Sequence, residues 1–148
     1  MIEFVGYLET SLSPDVVFAL LADMAQLDQW NPNVTASRRS SGEEFGLGST
    51  YVSTIQSGPL RMTARSELTA VEPGRSVTYQ GSIAGFWSID SLAFEPNGDG
   101  TRVVFRNESQ PPSWLRFLGP LFNAAFQPQA RRAVDGARRY LEAFRHSG

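Results

Sequence analysis

The chain has 148 residues, 41% of them hydrophobic, and a formal net charge of -2. That is enough apolar material for a core, and it argues against disorder and against a general phosphate-binding surface. There is no Cys, all 13 basic residues are Arg, and the single His is His146 near the C-terminus, which sets aside thiolates, disulfides, Schiff-base lysines, histidine triads and Cys/His metal sites.

The first segment, IEFVGYLETSL, puts Ile2, Phe4 and Leu8 on one face and Glu3, Val5, Tyr7 and Glu9 on the other, which is the period of a strand. Ser13 then reads as a helix N-cap with Pro14 at the first helical position. Val17, Leu20, Leu21 and Met24 recur at helical spacing, Leu27 and Trp30 continue that face through a second short helix, and Pro32 ends it. From Val34 to Ser109 six period-2 segments follow, separated by turn sequences such as SGPL, EPGR and PNGDG. They predict an antiparallel meander. Alternation points Tyr51, Ser53 and Ile55 inward, then Met62, Ala64, Ser66, Leu68 and Ala70, then Val77, Tyr79 and Ile83, and finally Val103, Phe105 and Asn107. Arg61, Arg65, Arg102 and Arg106 take the outward parity of solvated sheet surface. GEEFGLGST is a strand connection whose glycines do not match a phosphate-binding fingerprint.

After QPPS the pattern turns helical. A straight helix over residues 113–145 would be roughly 50 Å long, too long for a chain of this size, so a bend is expected at Gly119-Pro120 or Pro128. Beyond Pro128 an apolar stripe of Ala130, Ala133, Val134, Ala137, Leu141 and Phe144 emerges, with charge pairs at 131/135, 135/139 and 138/142 outside it. WLRFLGPLFNAAF, residues 114–126, is strongly apolar and holds only Arg116. It reads first as a cap over the open sheet and second as a gate or membrane-touching surface. No apolar run approaches the ~20 residues of a membrane span, the N-terminus lacks a signal pattern, and no repeat or linker divides the chain. The expectation is one domain over residues 1–148, cytoplasmic, a monomer or homodimer. No stable membrane insertion, nucleic-acid partner, metal or cofactor is expected.

The order of one strand, two short helices, six strands and a long helix resembles the START-like (Bet v 1-like, SRPBCC) superfamily. Within it the chain is similar to the polyketide cyclase/dehydrase and lipid-transport families. SPDVVFALLADMAQLDQWNP, LTAVEPGRSVTY and FEPNGDGTRVVF carry the resemblance. It implies an α+β helix-grip fold, a curved antiparallel sheet of about seven strands wrapped around a long C-terminal α-helix. It also implies an internal cavity for a small hydrophobic molecule, lipid or polyketide-like. The alternatives are a polyketide cyclase, aromatase or dehydrase using acid/base groups of the cavity, and a protein-interaction module using the same groove. Fold alone does not choose among them.

On this resemblance Trp30 is a pocket wall or ordinary core. Tyr51, Ser53, Ser66, Tyr79 and Asn107 are inward polar groups able to fix a ligand hydroxyl or ketone, and Met62, Phe105, Phe122 and Phe126 supply apolar contact. Each polar group taken singly can instead satisfy itself on backbone or water. Asp90 shares the parity of Leu92 and Phe94, which points it inward as a ligand-binding group. A bulge that turns it to solvent and leaves Trp87 and Ile89 inside is the reading slightly preferred. An inward Asp90 with a perturbed pKa, beside Tyr79 and Asn107, would make these three the catalytic candidates and would separate enzyme from carrier.

Overall fold

Alternation and short turns build a seven-stranded antiparallel sheet in the computed structural model, which describes residues 2–42 and 44–147. Glu43, in the predicted connection GEEFGLGST, lies outside the described residues. β1 (Ile2–Thr10) is followed by α1 (Pro14–Leu21), a 3-10 turn (Met24–Gln26) and α2 (Leu27–Trp30). Then come β2 (Val34–Ser41), β3 (Thr50–Ser57), β4 (Leu60–Glu72), β5 (Ser76–Ile83), β6 (Phe86–Asn97) and β7 (Gly100–Gln110). A 3-10 segment (Ser113–Leu118) leads into the long α3 (Gly119–Ser147). The strand order is β1-β7-β6-β5-β4-β3-β2, the helix-grip architecture of an α+β fold.

Local chemistry explains the element ends. Pro14 opens α1, and the Ser13 carbonyl accepts from Val17 N–H at 3.0 Å, although the Ser13 hydroxyl makes no capping bond. Asp23 caps the next turn, accepting from Ala25 N–H at 2.9 Å. Asn31 is extended ahead of Pro32, as the residue before a proline is steered to be.

The structure corrects several expectations. β6 pairs with β5 and β7 without a shift from Phe86 to Ala93, so no bulge turns Asp90 outward: Asp90 faces in, and Trp87 and Ile89 take the outer face. Register shifts fall instead in the β2–β3 pair and in β4, where one lies between Leu68 and Ala70. There it exposes Ala70 and sets Val71 opposite Val77. Phe144 leaves the predicted stripe and is 42% exposed. On α3 Asp135 pairs with Arg138 at 2.7 Å, one turn at i,i+3 rather than i,i+4. The break expected near Gly119 is a change from 3-10 to α-helix, and α3 continues through Pro128.

The core gathers where β1 ends and β7 begins. Leu8, Phe94 and Val103 meet Val17 and Leu21 of α1 and Leu141 of α3, each fully buried aliphatic chain contributing about 1.5–3 kcal/mol. α3 is tied down by two amides: Gln127 Nε2 donates to the Glu3 carbonyl at 2.9 Å and Asn33 Nδ2 to the Gln129 carbonyl at 2.8 Å. Gly136 lets it come closer still, because a Cβ there would collide with the Trp30 carbonyl and the Pro32 ring. The Trp-Asn-Pro sequence thus ends α2 where its backbone bears directly on α3, and α3 is held over the concave face of the sheet.

Candidate functional site

Register partners line up in rows across the inner face. Nearest the core, Val71, Val77, Leu92 and Phe105 form an apolar row. The next is Leu68, Tyr79, Asp90, Asn107 and Phe4. Beyond it lie Tyr51, Ser66, Gly81, Ser88, Ser109 and Ile2. The last rows, Ser53, Ala64, Ile83 and Phe86, then Ile55 and Met62, are apolar again save for Ser53. A polar belt therefore crosses the middle of an apolar concavity. Asp90, Asn107, Ser66 and Ser88 keep accessible surface although they face inward, as do Met62, Phe122 and Phe126. These side chains lie between α3 and the sheet and are only partly covered. Phe122 of α3 meets Phe86 of β6 edge-on at 5.0 Å.

Three belt side chains are chained together. Ser109 Oγ donates to Asn107 Oδ1 at 2.8 Å, and Asn107 Nδ2 donates to Asp90 Oδ1. Removal from water pushes the Asp90 pKa up, and the Asn107 bond offsets this only in part. A carboxyl accepts hydrogen bonds and, when protonated, donates one, and the raised pKa widens the pH range over which Asp90 can donate to a carbonyl or hydroxyl oxygen.

Tyr79 is differently employed. Its hydroxyl donates to the Ala22 carbonyl at 2.6 Å and accepts from Met24 N–H at 3.0 Å, clamping the end of α1 onto the sheet. Burial drives its pKa upward, against the smaller effect of the Met24 bond. Tyr51 packs edge-on against Tyr79 at 5.6 Å. Burial and the charge of Asp23 raise its pKa, while Ser49 and Arg39 nearby lower it. The Tyr51 hydroxyl, like Ser53 Oγ and Trp30 Nε1, is buried and makes no hydrogen bond among the described residues. Trp30 and Phe105 are both buried and meet edge-on at 6.1 Å.

Of the predicted site residues, Met62, Ser66, Asp90, Asn107, Phe122 and Phe126 retain accessible surface, whereas Trp30, Tyr51, Ser53, Tyr79 and Phe105 are core. Ser88, Ser109 and Phe86 also stand on the inner face and were not singled out, although Ser88 and Phe86 share the parity of Asp90 and Ser109 that of Asn107. Two hollows lie elsewhere. One of about 300 Å³ is bounded by Leu8, Thr10, Asn97 and Leu141. The other, of about 420 Å³, is lined by Glu67, Gln80 and Trp87 among others. No cluster of three or more metal-ligating side chains occurs among the described residues.

Solved structures of the same fold include a START superfamily protein from Mycobacterium smegmatis, 13% identical over 96% of this chain and 98% of that one, with a TM-score of 0.79. A major latex-like protein from Panax ginseng is 16% identical over 96% and 95%, with a TM-score of 0.74. The Zhui aromatase/cyclase from a Streptomyces species is 13% identical over 95% and 93%, with a TM-score of 0.70. At these identities the likeness is one of fold. No curated protein matches the chain in sequence. The model of the family described as polyketide cyclase / dehydrase and lipid transport matches residues 1–142, and the chain belongs to that family.

Proposed function

We propose that this protein binds a small hydrophobic molecule carrying at least one polar oxygen in the groove between α3 and the sheet. The observation that carries the reading is the polar belt inside the apolar concavity. Asp90, Asn107 and Ser109 form one connected anchor on that belt. A lipid or polyketide-like ligand with a carbonyl or hydroxyl would pair with Asp90 and Asn107, which keep accessible surface, while its body covers Met62, Phe122 and Phe126. Native mass spectrometry before and after denaturation tests this. A co-purifying lipid or aromatic ketone, lost from Asp90→Asn, supports it. An empty protein whose melting temperature no such molecule shifts overturns it.

A second reading is favoured by Asp90 alone. Its inward placement and raised pKa supply an acid, which suits cyclisation or dehydration of a polyketide chain. There Asp90 would protonate the carbonyl oxygen under attack, or the hydroxyl that leaves as water, and the carboxylate so formed would take up the proton lost from the α-carbon. Turnover of a poly-β-ketone that Asp90→Asn abolishes while binding persists would place the enzyme ahead of the carrier.

A further inference from the structure

From Ser109 to Val134 the chain has no acidic residue, although it holds 15, and the charges in that stretch are Arg116, Arg131 and Arg132. The stretch forms the 3-10 segment and the first half of α3. Trp114 is 73% exposed, Phe117 78% and Leu121 64%. Helical spacing puts Leu121, Ala124, Ala125 and Pro128 on one outward face, all exposed, and Arg131 and Arg132 close it. The result is an unpartnered apolar strip on α3, about 17 Å from Leu121 to Arg132, with Arg116 before it and Arg131 and Arg132 at its far end. At the same end of the sheet the β3–β4 tip runs four residues past the Ala64–Ile83 pair and presents Leu60, 63% exposed, with Arg61 exposed beside it. Glu3 and Glu108, the acids of that end of β1 and β7, point to the outer face of the sheet.

Charge decides what this strip fits. A second copy in a two-fold contact would set the arginines of one strip against those of the other. Exposed Trp, Phe and Leu flanked by Arg and free of acids match the interface of a negatively charged bilayer, where rings settle at headgroup depth and guanidinium groups meet phosphates. No described helix is long and apolar enough to cross a membrane. We propose that Trp114, Phe117 and Leu121, with Arg116, Arg131 and Arg132, dock this protein peripherally on anionic lipid surfaces. The docking does not depend on what occupies the groove.

Flotation with phosphatidylcholine vesicles containing about one-third phosphatidylglycerol tests it on the full chain. The wild type should float with these vesicles, much less with pure phosphatidylcholine, and less as salt rises. Trp114→Ser/Phe117→Ser should lower the bound fraction about tenfold, and Arg116→Gln/Arg131→Gln/Arg132→Gln should remove the preference for anionic lipid. Leu47→Ser, at an exposed apolar position at the other end of the sheet, should change nothing. All these side chains are exposed, so circular dichroism should report unaltered folding. The proposal is overturned if the wild type stays in solution or if Trp114→Ser/Phe117→Ser floats as well as it does. It is equally overturned if the strip instead drives a concentration-dependent dimer that ignores vesicles. An empty groove with intact vesicle binding would defeat the ligand reading and leave the docking standing.

Discussion

Asp90 and Tyr79 are neighbours in one row of the sheet, yet they are held for opposite purposes. The Asp90 proton is bound more tightly in the folded protein than in the unfolded chain. The stability this confers is complete below the ordinary value of 3.8 and is lost as pH rises through the raised native pKa. Asp90→Asn, which keeps size and removes the charge, should therefore melt higher than the wild type at pH 7, with the gain vanishing toward pH 3.8. A gain constant with pH would show that the fold does not raise the Asp90 pKa. Tyr79→Phe should cost about 1–3 kcal/mol in urea denaturation, since the Ala22 carbonyl and Met24 N–H lose their partner. Wild-type stability in that variant would exclude the clamp. Alternation in the sequence already pointed Asp90 inward, and the bulge preferred against it lies elsewhere. The clamp joins positions 57 residues apart, and no local pattern encodes such a pairing.

Elements were legible in proportion to how local their causes are. Turn chemistry and period-2 patterning gave all seven strands, and Ser13-Pro14 and Trp30-Asn31-Pro32 gave the bounds of the short helices. The β4 bulge was hidden because LTAVE alternates as well with Ala70 inward as with Val71. Gly136 was a readable anomaly: a glycine inside a helix costs roughly 1 kcal/mol against alanine, so its presence in the apolar stripe asks for a close approach. Only the fold shows that Trp30 and Pro32 are what approaches. Gly136→Val should push α3 off α2 and destabilise the protein by about 1–3 kcal/mol. A loss of less than a few tenths of a kcal/mol would mean that the contact is not rigid.

Across the whole molecule, one end is packed and the other open. Leu8, Val103 and Leu141 are almost wholly buried at the first, while Met62, Ala64, Ile83 and Phe86 on the inner face of the second keep accessible surface. A ligand that fills the open end adds stability by mass action, about 2.7 kcal/mol at a hundredfold excess over Kd. For a chain of this length that raises the melting temperature by roughly 5–10 °C, and Asp90→Asn should halve the rise or better. The same asymmetry is written into α3. Pro128 has no N–H to give the Ala124 carbonyl, so the backbone ladder misses a rung where the helix passes from the groove onto the core. The two halves of one continuous helix should consequently exchange their amide protons as separate populations, quickly before Pro128 and slowly beyond Gly136, with the proline as the boundary between two clocks.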